Sequence, residues 1–227
     1  MSEINLMDLY PRSSRPIKER GEQITDEHRK VAKQFGKEFF DGDRLYGYGG
    51  YNYHPRFWQQ TVQRFRDHYG LAEDARILDV GCGKGFMLHD FLELMPEATV
   101  AGLDISDYAI GDSMDDMKPF VQVGDAKKLP YDSDSFDLVI SINTVHNLKL
   151  EQCKQAIREI QRVSRGHSFI VVDAWHNDNE HDSMLQWNLT AETAMHVDDW
   201  QAMFAEVGYT GDFYWFIAQT DSKSAKA

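Results

Sequence analysis

The sequence predicts an α/β protein, a doubly wound and mostly parallel sheet carrying a small N-terminal helical and Tyr/Gly cap. Three observations predict it. From Arg76 onward, short apolar runs alternate with segments of helical periodicity, the pattern of βαβ units. The first of these runs ends directly in glycines at alternate positions, Gly81, Gly83 and Gly85, which permit a sharp turn into a helix. Ahead of it, residues 43–58 hold an unusual cluster of tyrosines and glycines, preceded by a polar region over residues 1–42.

The elements follow in order. Pro11 and Pro16 make the first twenty residues an expected loose segment. Arg76–Val80 (RILDV) is a short apolar strand, and residues 86–95 then carry apolar side chains at helical spacing. Thr99–Asp104 (TVAGLD) reads as a second strand, with Ser106 placed to cap the helix that follows. Residues 120–124 and Phe136–Ile142 (FDLVISI) supply a third and a fourth strand. Between them and the fifth strand, Cys153, Ala156, Ile157, Ile160 and Val163 recur on one helical face, and Gly166 is the expected stop. Residues 168–174 (SFIVVDA) form the fifth strand. Helices are expected over 177–194 and 198–207, the latter with Asp198 or Asp199 near its start, and a β-prone strand over 213–218. Little room remains between that helix and strand for another strand. The domain division is therefore a cap and extension at 1–58, a main domain at 59–220, and a disordered tail at 221–227.

Composition narrows the function. The chain has 227 residues, 42% of them hydrophobic, enough for one domain with a full core. No apolar run approaches the roughly 18 residues that cross a bilayer, and the N-terminus shows no apolar leader segment. Two cysteines cannot make a disulfide framework, so a reduced, cytoplasmic protein is expected. Residues 1–75 carry equal numbers of acidic and basic side chains, so the net charge of −13 falls wholly on residues 76–227. An acidic main domain repels phosphates; neither nucleic acid nor a membrane surface is an expected partner.

The segment Leu78-Asp79-Val80-Gly81-Cys82-Gly83-Lys84-Gly85 carries the chemistry. Its order, Asp-x-Gly-x-Gly-x-Gly, resembles the first motif of class I S-adenosylmethionine-dependent methyltransferases, which have a Rossmann-like fold. Asp104, ending Val-Ala-Gly-Leu-Asp, resembles the acidic residue that accepts hydrogen bonds from both ribose hydroxyls. Asp125-Ala126 resembles the pair that meets the adenine. Leu129-Pro130-Tyr131 through Ser135-Phe136-Asp137-Leu138-Val139 resembles the passage before the family's fourth strand. The resemblance spans residues 76–174. It implies S-adenosylmethionine as cofactor, held by Asp79, Gly81, Cys82, Gly83, Asp104, Ile105, Asp125, Ala126 and Asn143, with Tyr46 and Tyr51 of the cap closing over it.

At the end of the fourth strand the resemblance makes Asn143 and His146 the catalytic candidates. Two roles stand open for His146: a general base for the methyl acceptor, or a structural residue of its loop. Base catalysis is not obligatory, because the sulfonium is already activated and alignment supplies much of the rate. In the Tyr/Gly cluster, Arg44 and Arg56 are placed to pair with a carboxylate or phosphate. His176, Asp178, Glu180 and His181 gather after the fifth strand, but the fourth ends in Asn143 rather than a carboxylate, so no metal is expected. The expected activity is methyl transfer to an O, N or S atom of a small polar metabolite such as a sugar or amino-acid derivative, with a homodimer left open. The rivals are a cofactor-binding protein without catalysis, a nicotinamide-dependent dehydrogenase, and an aminopropyl transferase. Asp79 and the glycine spacing stand against the dehydrogenase.

Overall fold

The computed structural model describes residues 1–11 and 17–218. Four helices precede the sheet: α1 (Ile17–Gly21), α2 (Asp26–Ala32), α3 (Lys37–Asp41) and α4 (Gln59–Tyr69). Then come β1 (Arg76–Val80), α5 (Phe86–Leu94), β2 (Thr99–Asp104), α6 (Asp107–Gly111), β3 (Val121–Val123) and β4 (Phe136–Ile142). A 3₁₀ turn at Val145–Asn147 leads into α7 (Leu150–Val163), β5 (Ser164–Trp175), α8 (Asp178–Trp187), β6 (Met195–His196), α9 (Val197–Val207) and β7 (Asp212–Phe216).

The described strands pair in parallel throughout, in the order β3-β2-β1-β4-β5. β7 lies along Phe169 to Asp173 of β5, while β6 touches only its last two residues, Ala174 and Trp175. The chain therefore runs outward from β1 to β3, then returns to the other side of β1 for β4. That reversal opens a crevice at the carboxyl ends of β1 and β4, where open α/β sheets bind ligands.

Strand alternation divides the core. Leu78, Val80 and Val139 face a layer closed by Ile157 and Ile160 of α7 and Trp200 and Phe204 of α9. Ile77, Leu138 and Ile140 face the opposite layer, with Phe65 of α4 and Leu88 and Phe91 of α5. The apolar face expected for α7 is fully buried. Ser106 caps α6 as expected, accepting the Ala109 N–H at 2.9 Å.

α9 begins at Val197 with Asp198 and Asp199 in its first turn, as expected, and His196 caps it, its Nδ1 accepting the Asp198 N–H at 3.2 Å. Three expectations change. Gly166 lies inside β5 and does not stop α7, because Ser164 is already extended at the helix end. The helix expected over 177–194 ends at Trp187. The leading residues are not loose: Ile4 donates to the Phe213 carbonyl at 2.9 Å, Phe213 donates to Ser2 at 3.0 Å, and Leu6 is buried. This segment covers the outer edge of β7 and satisfies backbone groups the edge would otherwise expose. The tail over 221–227 lies outside the described residues.

Candidate functional site

The glycine turn leaves β1 with φ values of 90° at Gly81, 55° at Gly83 and 82° at Gly85, all left-handed. Gly81 is also sterically fixed, since a Cβ there would collide with the Thr144 side chain beyond β4. The turn is thus pressed against the end of β4. A Cβ at Gly83 would lie 3.1 Å from the Tyr51 ring, so the cap descends onto the same turn.

Asp104 ends β2 beside this turn. Its Oδ2 accepts the Gly83 N–H at 2.8 Å and its Oδ1 the Ser106 N–H at 2.9 Å. Burial raises its pKa against the opposing pull of these backbone bonds. Each oxygen keeps a further lone pair for a ligand hydroxyl. Asp79 is buried on the neighbouring strand, and burial, with the Asp104 charge, pushes its pKa to about 8. It is therefore mostly protonated at neutral pH. Ile105 is 57% exposed, an apolar ledge past Asp104. Asp125 closes its own turn, accepting the Lys127 N–H at 2.9 Å, with Ala126 half-buried beside it. Cys82 is buried with its thiol pKa well raised by burial, and its Sγ fills the space over Gly102.

The cap is fastened to the turn by charge. Lys84, 3% exposed, donates to Asp41 of α3 at 2.7 Å and pairs with Asp112 at 2.8 Å. Asp41 also accepts the Tyr108 hydroxyl at 2.7 Å and the Tyr51 N–H at 2.9 Å. Tyr51 stacks on Phe86 at 4.9 Å and lies 4.5 Å from Tyr48. Tyr53 donates to Asp90 of α5 at 2.6 Å, and Ser106 donates to the Phe35 carbonyl at 2.5 Å. Tyr46 lies edge-on to His28 of α2 at 4.9 Å. Asp41, Lys84 and Tyr108 were not among the sequence candidates. A lysine inside a tight glycine turn was the available signal, because a charge held there needs a counter-ion.

At the end of β4, Asn143 is exposed and left-handed at φ 53°, a conformation uncommon outside glycine and concentrated at functional sites. His146 is 3% exposed in the 3₁₀ turn. Its Nδ1 accepts the Asp173 N–H at 2.9 Å, and its carbonyl accepts the Glu192 and Thr193 N–H groups. Burial lowers its pKa although Asp173 pulls the other way. A neutral ring accepting at Nδ1 carries its proton on Nε2, which leaves no lone pair open to an acceptor's proton. The histidines after β5 are engaged locally: His176 with Glu180 at 2.9 Å, and His196 Nε2 with the His176 carbonyl at 3.1 Å.

A family model described as a methyltransferase domain matches residues 71–216, more than half of the chain. A tRNA (carboxymethyluridine(34)-5-O)-methyltransferase of Arabidopsis thaliana is 36% identical over 132 residues, covering 57% of this chain and 31% of the relative. A sterol 24-C-methyltransferase of Gibberella zeae is 29% identical over 182 residues, covering 70% of this chain and 46% of the relative. The chain thus spans less than half the length of either. The YcgJ protein of Bacillus subtilis shares the fold, with a TM-score of 0.51 at 23% identity over 64% of this chain and 66% of that one. The chain belongs to the methyltransferase family, and S-adenosylmethionine is its methyl donor.

Proposed function

We propose that this methyltransferase passes the methyl group to an O, N or S atom of a small polar metabolite inside the cleft between the glycine turn and the cap. The observation that carries this is the cap itself. Tyr51 lies on Gly83, and Asp41 and Lys84 bind the two parts together, so the cap covers the glycine turn. A roofed cleft suits an acceptor small enough to be enclosed. The charge of −13 disfavours a polyanionic acceptor such as tRNA. Among the described residues no helix is long and apolar enough to cross a membrane, and two buried free thiols suit a cytoplasmic setting.

In this reading the two oxygens of Asp104 hold the ribose hydroxyls, Ile105 and Asp125-Ala126 bracket the adenine, and Asp79, Gly81, Cys82 and Gly83 line the methionine moiety. When bound, S-adenosylmethionine supplies an electrophilic methyl on a sulfonium. Tyr51 excludes water above it, and Asn143 offers its amide to the acceptor. Alignment within this closed site supplies the main part of the rate. His146 is a positioning residue: it fixes the loop carrying Asn143 by joining β5 through the Asp173 N–H. The acceptor loses its proton to solvent or to a group of its own.

The test is transfer of labelled methyl from S-adenosylmethionine across fractionated metabolites and, separately, bulk tRNA. Label in a small-molecule fraction supports the proposal. Label in tRNA alone would overturn it, and cofactor binding with transfer to neither would favour the non-catalytic rival.

A further inference from the structure

Among the described residues, Arg20 is a buried charge without a counter-ion. Its side chain is 8% exposed, and its guanidinium lies 4.8 Å over the Trp187 ring. Nη1 donates to the Trp187 carbonyl and Nη2 to the Arg44 carbonyl, both at a long 3.3 Å. Nε is enclosed and has no hydrogen-bond partner among the described residues. Among the described residues no carboxylate comes within 4 Å of Arg20 or Arg44, although acidic side chains outnumber basic ones by 13 in the chain. The charge Arg20 feels is that of Arg44, and burial together with that repulsion lowers its pKa to about 10. Buried guanidinium groups are ordinarily paired, since desolvating one alone is costly.

Arg44 is exposed and held in place. Its Nη1 donates to the Gly47 carbonyl, and its Cδ packs 2.9 Å from where a Gly49 Cβ would stand. The Nε and Nη2 edge of its fork carries no hydrogen bond among the described residues. Next to it, Tyr48 keeps 45% of its surface accessible, yet burial raises its hydroxyl pKa and it feels both Arg44 and Asp104. From Tyr48 the path to the glycine turn is a single ring, Tyr51.

We propose that Arg44, backed by Arg20, forms a binding site for the carboxylate or phosphate of a ligand in the cleft. The free edge of Arg44 matches a planar oxyanion in two parallel bonds, and the anion neutralises the repulsion behind it. This rests on the methyl-transfer reading and names its missing chemistry. Two sources share that chemistry: the methionine carboxylate of the cofactor, or an anionic group on the acceptor.

Calorimetry on the full chain and on Arg44→Gln separates them, using S-adenosylhomocysteine and its decarboxylated analogue. A loss of about tenfold or more for S-adenosylhomocysteine, with equal binding of the analogue, places the cofactor carboxylate at Arg44. Unchanged binding of both, together with a melting-temperature rise on adding inorganic phosphate or succinate to the S-adenosylhomocysteine-saturated wild type but not to the variant, places the acceptor's anion there. Unchanged cofactor binding with no such difference between wild type and variant overturns the proposal. A wild type that binds no S-adenosylhomocysteine would instead sink the methyl-transfer reading, and the phosphate and succinate titrations still decide the anion site.

Discussion

Replacing Asp104 by Asn keeps the shape of the side chain and reverses one of its polar atoms. In the wild type both oxygens accept backbone N–H groups, Gly83 at 2.8 Å and Ser106 at 2.9 Å. The amide of Asn presents a donor to one of those donors, whichever way it turns. Leaving a buried backbone N–H unpaired costs about 1–3 kcal/mol of stability. For a domain of this size that lowers the melting temperature by roughly 2–10 °C. The same change removes the charge that strengthens hydrogen bonds to ribose, worth about 1.5–3 kcal/mol. The dissociation constant for S-adenosylhomocysteine should rise about tenfold to a hundredfold. Differential scanning calorimetry reads the first effect and titration calorimetry the second. A dissociation constant within about threefold of wild type would refute the placement of the ribose. An unchanged melting temperature would refute the argument that both oxygens are committed to the backbone.

Three further outcomes are expected. Asp41→Asn should loosen the cap: amide exchange across residues 41–53 should quicken and S-adenosylhomocysteine should dissociate roughly tenfold faster, because a charge-assisted bond to Lys84 weakens; unaltered exchange would show that the roof is held by ring packing. Asp79 has a folded-state pKa of about 8 against an ordinary 3.8, so its contribution to stability is complete below about pH 4 and is lost as pH rises toward 8. Asp79→Asn should therefore melt increasingly above the ligand-free wild type across that window, and parallel pH profiles would contradict the burial argument. His146→Ala should lower the melting temperature, since the Asp173 N–H loses its acceptor, and should lower turnover by a similar factor at every pH; a pH-dependent limb present in the wild type and absent from the variant, with a drop of about a hundredfold, would restore the histidine as general base.

What the sequence determined by itself was the frame of the sheet and the turn within it. Strand and helix periods are local properties, so Arg76–Val80, Thr99–Asp104 and Phe136–Ile142 were legible residue by residue, as was the buried face of α7. Glycines with left-handed φ values announced the turn, because other residues reach that conformation only at a cost. Tertiary structure decided the rest. Ser2 and Ile4 reach Phe213 across the whole length of the chain, and nothing in a polar leading segment specifies an edge strand that lies some two hundred residues away. The clasp of Asp41, Lys84, Tyr108 and Asp112 draws on three separate elements, and ion pairing leaves no periodic trace along a chain. His146 shows the limit most directly. Its residue type permits a base or a staple, and only the fold brings the Asp173 N–H to 2.9 Å from its Nδ1.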